Sequence, residues 1–241
     1  TTTTSTLEDA EQISCMFKTA NGVSIIIIRV ASESASSISF AASKTSSLES
    51  ILEKSTESKE ALLGLYRSFK RSKNVEHAIP YLTNWLKKYP DDIAVEISLA
   101  DSYKGSGQLQ QAADSYEALL IKHGQLPILL NNAANVYFSL NQQEKAREYA
   151  AQAYSYLKDN VAIIDTYAWI ESRSGNHLEA LALFRYALTK DYDNAEIKYH
   201  LAVTLDKLGR TAEAKGHLIE AINSTQIFEG KEQAKLLLET W

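Results

Sequence analysis

A period of 34 residues constrains this chain more than any other feature of its sequence. One turn position recurs at that interval as Lys73, Gly107, Asn141, Gly175 and Gly209. An alanine lies five residues after each turn, at Ala78, Ala112, Ala146, Ala180 and Ala214. A third column is apolar except at Glu171 and contains Phe69, Tyr103, Tyr137 and Leu205. Because independent columns share one period, the sequence divides without insertion or deletion into five units, at 59–92, 93–126, 127–160, 161–194 and 195–228.

Each unit has the pattern of two amphipathic helices joined by a turn. In the last unit, apolar residues recur at helical spacing over 197–208, and Gly209 then ends the helix as a left-handed C-cap. Residues 211–222 form its partner helix. One helix pair cannot bury its apolar face, so stacked neighbours must supply the core. We therefore predict an all-α solenoid in which 229–241 is a C-terminal capping helix.

Residues 1–58 form an extension in which 22 residues are serine or threonine. Carried backwards, the repeat frame predicts a half repeat at about 5–24 and a degenerate repeat at 25–58. The four consecutive isoleucines at 25–28 favour a strand instead. The alternative to degenerate repeats is therefore a disordered or strand-like arm.

Pro80 falls inside the second predicted helix of the first unit. Proline lacks a backbone N–H and its ring clashes with the preceding turn of a helix. The sequence therefore predicts a kink at this residue, as a tolerated bend in the solenoid.

The array at 59–228 resembles the tetratricopeptide repeat family, whose units are helix–turn–helix pairs of this length. The resemblance implies a right-handed superhelix with a concave groove for a partner protein or peptide. Residues 129–134, 165–169, 197–202 and the closing 232–239 are also similar to bacterial tetratricopeptide lipoproteins that accompany PEP-CTERM/exosortase sorting and exopolysaccharide systems. That narrower likeness implies a periplasmic or membrane-associated location, with a cytoplasmic one as the alternative.

The family resemblance also assigns one face of each first helix to the groove. At roughly 100° per residue, unit positions 2, 5, 9, 12 and 13 fall on one side of that helix. The same positions line the groove in tetratricopeptide structures, so they supply the candidate partner-binding residues. These candidates are Arg67, Arg71, Asp101, Asn131, Asn135, Phe138, Asp165, Trp169, Arg173 and Tyr199.

Two groups of candidates suggest how a partner is held. Asn131 and Asn135 lie one helical turn apart, so both amides are predicted to hydrogen-bond an extended peptide backbone. Trp169 is an aromatic residue of the kind that anchors interfaces. The alternative is that these positions only solvate a concave face. No unit has lysine at position 5 with asparagine at position 9, which excludes the family's clamp for chaperone C-termini.

Composition and residue spacing exclude several other functions. A net charge of −5 without clustered lysine and arginine argues against nucleic acid as a partner. The longest apolar run, at 23–30, is much shorter than the about 20 residues of a membrane span. The five histidines are scattered and show no metal-ligand spacing. No apolar segment precedes Cys15, so we expect neither lipidation there nor a signal peptide.

The sequence therefore predicts a non-enzymatic scaffold without cofactor or metal that binds a partner protein or peptide in the groove. Two alternatives remain open. One is a self-associating structural element, a homo-oligomer that uses Trp241 and the isoleucines at 25–28 as sticky surfaces. The other is the substrate-recruiting arm of a larger enzyme.

Overall fold

The computed structural model describes residues 14–20, 23–29, 58–228 and 230–241. The chain divides into two compact units, Thr1–Pro90 and Asp91–Trp241. Each unit is described separately below.

Among its described residues, the first unit contains a two-stranded antiparallel sheet and two α-helices. Strands β1 (Ser14–Ala20) and β2 (Val23–Arg29) pair so that Ser14 lies opposite Arg29. The isoleucines of β2 favour a strand, which is the alternative that the sequence left open. Most of 1–58 lies outside the described residues, so the half repeat at about 5–24 and the degenerate repeat at 25–58 stay predictions.

Helix α1 (Lys59–Arg71) is followed by a short 3₁₀-helix (Val75–Ala78) and by α2 (Ile79–Lys88). The predicted kink at Pro80 is wrong, because Pro80 lies in the first turn of α2 rather than inside a longer helix. Backbone N–H groups have no intrahelical acceptor in a first turn, so proline loses nothing there. The preceding turn, Val75–Ala78, is a 3₁₀-helix, so the α-helix does not extend back over the residues with which the Pro80 ring would clash.

The second unit is built from nine α-helices among its described residues. In chain order they are α3 (Ile93–Gly105), α4 (Leu109–His123), α5 (Pro127–Ser139), α6 (Gln143–Tyr156), α7 (Val161–Arg173), α8 (His177–Lys190), α9 (Ala195–Lys207), α10 (Thr211–Asn223) and α11 (Lys231–Thr240). Each helix packs on the next along the chain, and the first helices α5, α7 and α9 also pack side by side. This sequential packing confirms the predicted all-α solenoid.

Side chains at the start of each helix pair fix where the first helix begins. Asp92, Asn160 and Asn194 each accept a hydrogen bond from the backbone N–H three residues later, at 3.1–3.4 Å. Helix α5 begins instead with Pro127. A capping side chain accepts a hydrogen bond from an N–H that a helix start leaves unpaired, and proline has no such N–H. Because these residues recur at the same point of the units, the first helices begin 34 residues apart.

The turn column of the sequence adopts one backbone conformation. All five of its residues have positive φ, between 59° and 94°, although two of them are Lys73 and Asn141. After each turn residue, the next backbone N–H donates back to the first helix, for example from Asn176 to Glu171 O at 2.9 Å. This is a Schellman ending, and it reverses the chain at the same point of every unit.

Replacing Lys73 with glycine should raise the free energy of unfolding. Lys73 is exposed and has φ of 59°, where a residue with a Cβ is strained by about 1–2 kcal/mol. Glycine removes that strain but loses more entropy on folding, so we expect a net gain of about 0.5–1 kcal/mol in urea titrations. Asn141→Gly is the matched control, and its gain should be smaller because asparagine tolerates this region. A loss of stability in Lys73→Gly would contradict the account of the turn.

The core of the second unit lies between the two helices of each pair and between neighbouring pairs. The alanine column is fully buried at Ala112, Ala146, Ala180 and Ala214, and large side chains such as Tyr116 and Phe184 pack around it. Small residues let the helices approach closely, while the large ones fill the space between turns. The residues that recur with the 34-residue period therefore form a continuous apolar core.

Glu171 interrupts this core and is itself fully buried. Arg147 of α6 donates to both of its carboxylate oxygens, from Nε at 2.6 Å and from a terminal nitrogen at 3.0 Å. Asn176 also donates to the carboxylate, and the carboxylate raises the pKa of Arg147 further above its ordinary value through a hydrogen bond and direct attraction. A charge therefore replaces an apolar side chain at this one position of the column because a partner from the preceding repeat satisfies it.

Candidate functional site

The second unit contains a concave groove of about 750 Å³. Consecutive first helices line it, and α11 closes one end. The side chains that matter below come from α5 (Asn131, Asn135, Phe138), α7 (Asp165, Thr166, Trp169), α9 (Glu196, Tyr199, His200), the loop before α9 (Asp191) and α3 (Lys104). A groove that runs across several first helices has the form needed for an elongated ligand.

Asn131 carries an unusual polar atom. Its side chain is 6% exposed, and its Oδ1 accepts no hydrogen bond from any residue that the structure describes. A buried acceptor without a donor costs free energy, so such atoms are rare in folded proteins. Asn131 lines the groove, so this buried acceptor lies within the groove wall.

The neighbouring Asn135 has a different environment. Its Nδ2 donates to Asn131 O at 3.1 Å and to Thr166 Oγ1 at 3.2 Å. The second bond joins α5 to α7, so it fixes the distance between two repeats. Both amides are predicted to bind a peptide. Asn131 has an acceptor without a donor among the described residues, whereas the Asn135 Nδ2 donates to other groups of the protein.

A second polar contact joins α7 to α9. His200 is buried, and its Nδ1 lies 2.8 Å from the Asp165 carboxylate. The imidazole stacks on Trp169, with ring centroids 4.1 Å apart and an angle of 18° between the rings. The carboxylate thereby holds the histidine, and the histidine holds the indole of Trp169 at the groove wall. Trp169 is consequently pre-organised, which lowers the entropy lost when a partner contacts it.

The end of the groove is closed by the C-terminal segment. Gly230 has φ of 98°, and a Cβ there would lie 2.7 Å from the ring of Tyr199, so glycine permits this close approach. Tyr199 also packs on Phe228, with ring centroids 5.8 Å apart. Burial raises the pKa of Tyr199 above its ordinary value. The closed end makes the groove a site with a defined terminus.

Trp241, which the self-association hypothesis treats as a sticky surface, is half-buried against the core near α11. Its backbone oxygen accepts a hydrogen bond from Lys215 at 2.5 Å. The residue therefore helps to hold the end of α11 against α10. The side chains at 25–28 lie outside the described residues.

The structure brings six of the ten sequence-predicted residues to this groove. They are Asn131, Asn135, Phe138, Asp165, Trp169 and Tyr199. The other four do not line it. Asp101 accepts a hydrogen bond from Tyr116 at 2.5 Å, and Arg173 lies beside the ring of Trp169 at 5.6 Å. Arg67 and Arg71 are exposed on α1, in the first unit.

Three further residues that line the groove are not among the residues predicted from the sequence: His200, Thr166 and Asp191. A usable signal existed for His200, because it follows Asp165 by one repeat plus one residue and therefore lies beside it on the next first helix. No such pairing marks Asp191, which ends α8 and enters the groove through its loop.

Metal binding and membrane insertion find no support in the described part of the chain. No three histidine, cysteine, aspartate or glutamate side chains come together there as a possible metal site. No described helix is long and apolar enough to cross a membrane.

These features define a helical repeat protein with a groove suited to an elongated ligand. Residues 97–160 and 173–226 each match a family model described as a tetratricopeptide repeat. These two segments therefore match tetratricopeptide repeats, as the resemblance of the sequence implies. No curated protein gives a significant match to the sequence.

Solved structures with the same fold support this assignment. TTC0263, a thermophilic tetratricopeptide protein of Thermus thermophilus, is 16% identical over 76% of this chain and 98% of its own, with a TM-score of 0.66. A tetratricopeptide repeat protein from Parabacteroides merdae is 17% identical over 83% and 79%, with a TM-score of 0.65. YrrB, a protein with an unusual peptide-binding site, is 16% identical over 80% and 98%, with a TM-score of 0.52. At these identities the likeness establishes the fold alone.

Proposed function

We propose that this protein is a non-enzymatic scaffold that binds an extended segment of a partner protein in the groove of its second unit. The observation that carries the proposal is the Asn131 Oδ1 atom, buried in the groove wall without a donor among the described residues. A backbone N–H of an extended partner supplies the missing donor. The free energy that the isolated protein loses at this atom then contributes to binding.

The aromatic side chains of the groove support the same proposal. Trp169 lines the groove on α7, and Phe138 and Tyr199 flank it from α5 and α9. Tryptophan and tyrosine are enriched among the few residues that supply most of the binding energy at interfaces. The fold suits such a role, and YrrB, of the same fold, has a peptide-binding site of its own.

Crosslinked capture from the source cells tests the proposal. Wild-type protein and Trp169→Ala would be compared under identical conditions, after circular dichroism shows equal helicity. We expect Trp169→Ala to lose partners that the wild type recovers, because truncating an anchor of this kind costs about 2 kcal/mol or more of binding free energy. The matched control is Tyr156→Ala, since Tyr156 is an exposed aromatic residue outside the groove lining.

The two variants separate a groove from any other binding surface. Loss of partners in Trp169→Ala but not in Tyr156→Ala supports groove binding. An unchanged set of partners in Trp169→Ala would contradict it, and loss only in Tyr156→Ala would move the site to the outer face of the repeats.

The finer proposal is that the partner belongs to a bacterial envelope protein-sorting or exopolysaccharide system. It rests on the similarity of 129–134, 165–169 and 197–202 to lipoproteins of PEP-CTERM/exosortase systems. The identity of the captured partners tests it: envelope sorting or polysaccharide-export proteins support this assignment. Partners that are all cytoplasmic would contradict the assignment while leaving the scaffold function intact.

A further inference from the structure

We infer that the groove takes a cationic ligand: an extended segment of the partner that carries lysine or arginine side chains. The inference rests on the proposed function, since it specifies the chemistry of what the same groove binds. It follows from the groups on the groove walls, which are mostly carboxylates and hydrogen-bond acceptors.

Acidic side chains outnumber basic ones along the groove. Asp165, Asp191 and Glu196 contribute three carboxylates, while Lys104 is the one lysine or arginine among the described lining residues. Asp165 belongs to α7, Glu196 belongs to α9, and Asp191 lies in the loop between α8 and α9. Lys104 belongs to α3, two repeats before α7. The negative charge is therefore concentrated on α7 and around the start of α9, at the part of the groove next to α11.

Two of these carboxylates have no lysine or arginine partner among the described residues. Asp165 contacts the His200 imidazole, and Asp191 accepts a hydrogen bond from the Asn194 amide at 3.0 Å. Neither forms an ion pair with a lysine or arginine in the part of the chain that the structure describes. Some acids elsewhere in this unit are paired across repeats, as Glu117 is with Lys145 and Glu213 with Arg185. Asp165 and Asp191 can therefore still receive a cation from a ligand.

The unpartnered Asn131 oxygen is an independent indication of the same chemistry. A carbonyl oxygen only accepts hydrogen bonds, so what completes this site must be a donor. Ammonium and guanidinium groups are donors without acceptors, and they suit both the Asn131 oxygen and the nearby carboxylates. An acidic segment would meet repulsion from the carboxylates.

The aromatic walls strengthen this preference. Phe138, Trp169 and Tyr199 are half-buried and border the groove, so part of the space beside the carboxylates is shielded from water. Attraction between opposite charges is stronger where water is displaced. The aliphatic stems of lysine and arginine also pack well on apolar walls while the charged end reaches a carboxylate.

A random dodecapeptide library retained on the immobilised full chain tests the inference. We expect the retained peptides to be enriched in lysine and arginine relative to the input and depleted in aspartate and glutamate. Retention should fall as salt is raised, because charge attraction is screened. Retained peptides that are neutral or acidic, or no retention above that of Trp169→Ala, would overturn the inference.

The best retained peptide is then measured against charge variants. We expect Asp191→Asn combined with Glu196→Gln to weaken its binding about tenfold and to flatten the salt dependence. Asp114→Asn is the matched control, because Asp114 is an exposed acid of α4 outside the groove. Equal affinity of the double variant and the wild type would overturn the inference.

These outcomes keep the inference and the proposed function apart. Neutral or acidic peptides that bind the wild type but not Trp169→Ala would leave groove binding standing and remove only the cationic preference. Peptides held equally by the wild type and by Trp169→Ala would remove both.

Discussion

Replacing Arg147 with alanine should produce the largest loss of stability among the polar substitutions considered. Glu171 is fully buried, and without Arg147 its carboxylate keeps only the Asn176 amide as a partner. Breaking a buried ion pair from one side costs about 3–5 kcal/mol. Because the Arg147 side chain is 52% exposed, we expect a loss just below that range, about 2–3 kcal/mol, in urea unfolding.

The opposite substitution should behave differently. Glu171→Leu places an apolar side chain in a column that is apolar in the other repeats, and it leaves Arg147 free to reach water. We therefore expect little change in stability from Glu171→Leu, and recovery of most of the lost stability when it is combined with Arg147→Ala. Arg185→Ala is the matched control for an exposed pair, with an expected loss below about 1 kcal/mol. Equal losses from Arg147→Ala and Arg185→Ala would refute the role of the buried pair.

Asn131→Leu should change stability and binding in opposite directions. Leucine has a similar size and removes a buried oxygen that has no donor among the described residues. We expect the free energy of unfolding to rise by about 1–2 kcal/mol, because the desolvated polar atom is gone. Partner binding should fall, since the groove loses the acceptor that the partner satisfies. Urea titration and the capture assay measure the two effects on the same preparation.

Asn135→Leu is the control for this substitution. Asn135 lies one turn further along the same helix, and its Nδ2 makes two hydrogen bonds within the protein. Its replacement should lower stability, because Thr166 loses its donor and the contact between α5 and α7 is broken. A loss of stability in Asn131→Leu of the same size would mean that its oxygen is satisfied in solution, which would contradict the account of the groove.

The fold could be predicted from the sequence because the same turn, alanine and apolar positions recur in each of the five units. The turn column has positive φ at glycine, at Asn141, which tolerates it, and at Lys73, where residue preference alone would not predict it. The turn at Lys73 could be predicted because the other columns share its 34-residue period. The same reasoning failed at Pro80, which lies in the first turn of a helix rather than inside one.

The groove could be predicted only in outline. Helical periodicity brings Asn131, Asn135 and Trp169 to one face, and these residues do line the groove. The contacts that distinguish them join different repeats: Asn135 with Thr166, and Asp165 with His200. Such contacts depend on how far one helix pair is rotated against the next, which a single-helix projection does not contain.

The buried pair of Arg147 and Glu171 is another contact between repeats that could not be predicted from the sequence. The sequence shows that Glu171 breaks an apolar column, but it does not show that an arginine of the preceding repeat reaches it. The missing donor of the Asn131 oxygen is equally invisible, because it depends on every side chain around that atom. These properties arise from packing between helices rather than from the order of residues within one.

Site-specific photocrosslinking tests the central claim, that the groove holds the partner, most directly. A benzoylphenylalanine placed at Ala162, an exposed residue of the groove lining on α7, would be compared with one at Ala212, an exposed alanine of α10 outside that lining. Both positions follow the first residue of their helix, so the two probes differ mainly in the surface that they report. We predict light-dependent adducts to a partner from position 162 and their loss when Asn131→Leu is added. Adducts of equal yield at both positions, or at 212 alone, would contradict the account.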